Sequence, residues 1–295
     1  MEMKERQDRM MVGKIWSRRR MLAVGAAGAG WGWMRGTSLF AQEKAACTLS
    51  PELEVGPYYV NYELMRKDIR EDRAGVPLHL KIVLMNSKTC LPLKDAAVDV
   101  WHCDAMGIYS GYTKNNPDSM GGPGGMLPPP PPKGAAGGPH YGPPGMKQTD
   151  QETFLRGVQI TGKDGSAEFL TIYPGWYVSR DIHVHLEVHM GGKAGEKKYA
   201  GGHVCHIGQI AFPDDLSDAV AKLEPYAQHK KERTRLEDDH VFHDDLANVM
   251  LRLQQIDSSS MTKGFTGEIT FWVDPDAMPK QEGPGSGGMP EQWVD

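Results

Sequence analysis

Seven short stretches of this 295-residue chain alternate apolar with polar residues or run apolar for a few positions: 76–85, 97–103, 154–160, 167–173, 182–190, 203–212 and 265–273. Most are bounded by Gly, Pro, Asp or Asn, residues that close strands and open turns, so each predicts a β-strand. The stretch at 182–190 is the most regular. Ile182, Val184, Leu186 and Val188 share one face and suit a sheet core, which leaves His183 and His185 together on the other. Helical spacing predicts a helix at about 215–226, where Leu216, Val220 and Leu223 recur with Ser217 as the cap, and a second at about 243–253. Seven or more short strands joined by turns predict an all-β protein, a sandwich or a barrel.

Composition divides the rest. Residues 51–60 read as an extended lead-in with a Gly-Pro turn. Residues 117–145 hold 19 Gly or Pro in 29 positions, including five consecutive prolines, which predicts a long surface insertion rather than a packed element. A Gly- and Pro-rich tail follows from 277. At the other end, Ser17-Arg18-Arg19-Arg20 precedes a weakly apolar run to Trp33, a layout that resembles a twin-arginine export signal and is too short for a membrane span. The expected organisation is an export segment at 1–41, one domain at 42–276 and a disordered tail at 277–295, in a protein exported to the periplasm or medium without stable membrane insertion. The segment 1–41 has a surplus of five positive charges against −5 for the whole chain, which leaves the remainder near −10 and argues against a nucleic-acid partner. Cys47, Cys90, Cys103 and Cys205 form no C-x-x-C pair. A Cys90–Cys103 bridge and two buried thiols are equal alternatives.

The chemistry lies at the strand ends. Tyr109, Tyr177, His183 and His185 offer two phenols and two imidazoles. Such a set suits Fe3+, because a hard trivalent cation lowers a phenol's pKa far enough for tyrosinate to form at neutral pH. The alternatives are zinc or copper on the same histidines, or a binding module for aromatic or carbohydrate ligands without turnover. His102, His140, His189, His203 and His206 are not expected to be ligands.

Five segments together resemble the intradiol ring-cleavage dioxygenases, the family of catechol 1,2-dioxygenase and protocatechuate 3,4-dioxygenase, and especially their exported relatives. They are G-P-Y-Y at 56–59, V-D-V-W-H-C-D-A-M-G-I-Y-S-G at 98–111, F-L-R-G-V-Q-I-T at 154–161, Y-P-G-W-Y through H-V-H at 173–185, and G-Q-I-A-F-P-D at 208–214. The resemblance implies a β-sandwich with one Fe3+ per chain held by Tyr109, Tyr177, His183 and His185. It also implies Arg180 and Gln209 as catalytic neighbours of the substrate ring, with Gly56, Pro57 and Tyr58 in the pocket. The partners implied are a small aromatic diol and O2, and the product a muconate-type diacid. Glu54 and Val55 stand where relatives carry a Thr-Glu pair, which changes the polarity expected at the pocket mouth. No carboxylate-binding residue stands out, and a homo-oligomer is compatible with the sequence.

Overall fold

The structure is a computed structural model that describes residues 47–116, 148–242 and 246–279. The expected export segment and the Gly/Pro insertion lie outside these residues, as does most of the expected tail. Among the described residues ten strands form: β1 (Pro77–Asn86), β2 (Ala97–Trp101), β3 (Arg156–Ile160), β4 (Ser166–Ile172), β5 (His183–Met190), β6 (Lys193–Ala194), β7 (Tyr199–Ala200), β8 (His203–Ala211), β9 (Arg252–Gln255) and β10 (Phe265–Val273). Each of the seven predicted stretches coincides with a strand whose ends differ from it by no more than two residues. Two four-stranded sheets carry the fold, ordered β4-β1-β10-β9 and β3-β2-β5-β8; β1 and β10 are parallel and the other pairings in these sheets antiparallel.

Between the sheets lies an apolar core. Leu78, Leu80, Ile82 and Leu84 enter it from β1, and Val98, Val100, Val184, Leu186 and Val188 from the second sheet. Period-2 alternation therefore turns Trp101, His183, His185 and Gln209 to the far face of that sheet, where His185 stands opposite both Trp101 and Gln209. The lead-in covers this face. It runs along the free edge of β8, where the Leu53 amide donates to the Ile207 carbonyl at 3.0 Å and the Ile207 amide donates to the Glu52 carboxylate at 2.9 Å.

Three expectations need correction. The first helix, α1 (Asp214–Val220), starts ahead of Ser217, which is no cap: its hydroxyl is buried against the Tyr173 hydroxyl at 2.8 Å. The second, α2 (Leu246–Val249), is one turn long, and Leu253 belongs to β9, because this segment lies against β8 and β10. Cys90 is bonded to Cys47, with Cα atoms 5.8 Å apart, while Cys103 and Cys205 are buried free thiols. The Cys90–Cys103 alternative fails because Cys103 sits under the site, its thiol donating to the Gly175 carbonyl at 3.5 Å.

The disulfide bridges 43 positions and tethers the lead-in to the turn after β1. Crosslinking a loop of that size restricts the unfolded chain, so Cys90→Ser is expected to lower stability by about 2–4 kcal/mol. Urea unfolding without reductant checks this; an unchanged midpoint would show that the crosslink is thermodynamically idle. Among the described residues no helix is long and apolar enough to cross a membrane.

Candidate metal centre

Two loops and one strand deliver the four donors. After β2 the chain turns back on itself: the Asp104 amide donates to the Ile108 carbonyl at 2.8 Å, and the Asp104 carboxylate accepts the amides of Met106 and Ile108. Gly107 takes the left-handed conformation (φ 80°) that this reversal requires, and Tyr109 follows, almost fully buried. Gly175 lets the second loop approach this turn, since a Cβ there would lie 2.4 Å from the Ala105 carbonyl oxygen. That loop then closes a tight turn in which the Arg180 amide donates to the Tyr177 carbonyl at 3.3 Å, with Ser179 at φ 68°. A non-glycine residue there carries about 1 kcal/mol or more of backbone strain, which is consistent with a turn held by its surroundings to aim Tyr177 and Arg180.

The donor atoms converge. His183 Nε2 lies 3.3 Å from the Tyr109 hydroxyl, 3.3 Å from the Tyr177 hydroxyl and 3.0 Å from His185 Nε2. His183 Nδ1 lies 2.6 Å from the Asp181 carbonyl oxygen, which only an N–H can satisfy, so the neutral ring keeps its lone pair on Nε2, facing the cluster. The Trp101 ring stacks on His185 at 5.0 Å with planes 1° apart and fixes the second imidazole. Burial, with the positive charge of Arg180 nearby, holds both histidines well below the usual imidazole pKa, so they are neutral. Burial likewise pushes the Tyr109 and Tyr177 phenols well up, with Arg180 acting in the opposite sense. A strong cation is needed to take their protons.

These residues fit a ferric ion: two neutral imidazole nitrogens and two phenol oxygens meet at one buried point, and the phenols supply the negative charge a hard cation requires. Among the described residues no group of three His, Cys, Asp or Glu side chains is placed to hold a metal. The groups beside the histidine pair are instead the two tyrosine hydroxyls.

The predicted neighbours are here too. Arg180 is buried, its Nη2 donating to Gln209 Oε1 at 2.5 Å, and Gln209 Nε2 donates to the Glu54 carbonyl at 2.6 Å. Gly56, at φ 73°, passes over His185, and a Cβ there would come 3.1 Å from Cε1. Tyr58 stacks on Tyr109 with ring centroids 4.4 Å apart and meets Tyr177 edge-on at 5.7 Å. Pro57, partly buried, links the two.

Of the histidines not expected to be ligands, His102 is hydrogen-bonded to Thr171 and the Cys103 carbonyl, His203 faces the Pro275 carbonyl, His206 pairs with Glu52 and His189 lies beside Glu187. His140 lies outside the described residues. Two structural residues escaped the sequence reading. Arg156, on β3, donates to the Tyr58 carbonyl at 2.6 Å and the Ser110 carbonyl at 2.8 Å, tying the lead-in to the Tyr109 loop. Asp239 pairs with Arg180 at 3.0 Å. Arg156 sits inside a quoted motif and was readable as a buried cation on a strand; Asp239 had no such signal.

Two facing sheets of this order make the chain similar in fold to solved intradiol ring-cleavage dioxygenases, which are enzymes. The particular likeness is to an intradiol ring-cleavage dioxygenase from Tetranychus urticae, with 29% identity over 79% of this chain and 98% of that one and a TM-score of 0.62. The dioxygenase domain of a dioxygenase–carbohydrate-binding protein fusion from Streptomyces sp. SirexAA-E is 20% identical over 77% of this chain and 99% of that one, with a TM-score of 0.47. No family model matches the sequence, and no curated protein matches it.

Proposed function

We propose that the protein is a non-haem Fe3+ intradiol dioxygenase that cleaves a catechol between its two hydroxyl-bearing carbons, placing both atoms of O2 in a muconate-type diacid. The observation that carries this reading is the meeting of the Tyr109, Tyr177 and His185 donors at His183 Nε2, within 3.0–3.3 Å. Tyr109, Tyr177, His183 and His185 would hold the iron. When bound, ferric iron supplies the Lewis acidity that makes the diol's oxygens acidic and its ring electron-rich toward O2.

The chain's own residues supply the rest. Burial raises the proton affinity of the Tyr109 and Tyr177 phenol oxygens, which suits either one to hold a proton given up by an incoming diol. Arg180 presents a fixed positive charge where the ring takes on keto character, and its bond from Nη2 to Gln209 holds it there in advance. Tyr58 and Gly56 close the site from the lead-in, with Tyr58 offering a ring face and Gly56 making room for His185. The aromatic walls suit a planar ring and leave the choice among catechols open. Export by the twin-arginine route completes the proposal, and the Cys47–Cys90 bond supports an oxidising destination.

The test is the visible spectrum of iron-loaded protein before and after anaerobic addition of catechol, followed by oxygen uptake. A red to purple band that shifts with catechol is expected, since tyrosinate on ferric iron gives charge-transfer colour. A colourless protein with zinc or copper bound would sink the mechanism.

A further inference from the structure

Asp239 lies in the segment after the 3-10 turn Leu236–Asp238, and its carboxylate is fully buried. A buried carboxylate is costly unless its oxygens are satisfied, and this one accepts from four groups. Arg180 Nε donates to Oδ2 at 3.0 Å, and the amides of Asp181, Val241 and Phe242 donate at 2.6, 2.8 and 3.3 Å. Two of these partners lead directly into the site. Arg180 passes the constraint to Gln209, and Gln209 to the Glu54 carbonyl beside Gly56. Asp181 offers its own carbonyl to His183 Nδ1 at 2.6 Å. A further partner, Phe242, places its ring 5.7 Å from the Arg180 guanidinium carbon.

We propose that Asp239 is a positioning residue for the reaction: it locks the Arg180 guanidinium by its Nε edge, so that the Nη edge is presented to the site in one orientation. This inference rests on the functional reading above. A guanidinium held from one side by a carboxylate and from the other by Gln209 has little freedom left, and a preorganised charge stabilises a transition state without reorganising. Asp239→Asn keeps the shape, removes the charge and sets an amide N–H₂ against a donor. The expected cost is about 10- to 100-fold in kcat, the scale on which such supporting partners act.

The experiment is a double-mutant cycle in iron-loaded protein with catechol: wild type, Asp239→Asn, Arg180→Met and the pair, with kcat, KM and the visible band measured for each. If Asp239 acts through Arg180, Asp239→Asn lowers kcat far more than it changes KM, keeps the charge-transfer band, and costs less than about 3-fold once Arg180 is gone. Equal loss in both backgrounds, or wild-type kcat in Asp239→Asn, overturns the proposal while the dioxygenase reading stands. A wild type without band or oxygen uptake sinks that reading, and this one with it. Should Asp239→Asn not fold, the exchange Arg180→Lys with Asp239→Glu takes its place. Recovery of about 10-fold of the kcat lost in Arg180→Lys alone supports the pairing, and no recovery refutes it.

Discussion

Iron-loaded His183→Ala is expected to lose both the charge-transfer band and the turnover of catechol, with kcat/KM falling by about 1000-fold or more, roughly 4 kcal/mol of transition-state stabilisation. His183 is the hub: its Nε2 is within 3.0–3.3 Å of the other three donors. Removing it takes away one of two neutral nitrogens and leaves a donor set too poor to draw the protons from the buried Tyr109 phenol and the partly buried Tyr177 phenol. The change also orphans the Asp181 carbonyl that accepts from Nδ1, which costs about 1–3 kcal/mol of stability. Metal analysis and oxygen uptake check the first effect and urea unfolding the second. Full iron content with an undiminished band would remove His183 from the ligand set.

Arg180→Met is expected to be damaging in two ways at once. The side chain is 6% exposed and its partner carboxylate on Asp239 is 0% exposed, so removing the guanidinium strands a buried negative charge. Breaking such a pair from one side costs about 3–5 kcal/mol, well above the value of a surface ion pair. Independently, losing a preorganised positive charge beside the ring costs about 10²–10³-fold in kcat. Met keeps much of the volume, so the loss is one of charge and hydrogen bonding. Folded protein with a wild-type urea midpoint would refute the first part, and wild-type kcat the second.

Much of the architecture was legible because burial imposes a period of two. β5 shows it best, with Val184, Leu186 and Val188 in the core and His183 and His185 opposite. β6, β7 and β9 were missed for the converse reason: they are two to four residues long and largely exposed, so no alternating apolar face marks them. The segment at 243–253 misled because Leu246, Val249 and Leu253 have helical spacing, yet Leu253 sits opposite Gly267 on a strand. Apolar spacing does not distinguish a single helical turn running into a strand from a continuous helix.

The donors were equally readable. Tyr109, Tyr177, His183 and His185 are residue types with coordination chemistry of their own, set at turns and on one strand face. Arg180 and Gln209 came from resemblance, and the structure places them in contact. Asp239 was invisible: in Glu237-Asp238-Asp239 it reads as one of a run of solvated acids, and its pairing with Arg180 spans 59 positions. The Cys47–Cys90 bond, 43 positions apart, was hidden in the same way. By itself the sequence determined which residues face the core and which chemistry is on offer, since side-chain parity and donor type are local properties. Only the tertiary structure decided which acid, cysteine and loop meet that chemistry, because pairing of distant groups depends on where the sheets and loops bring the chain together.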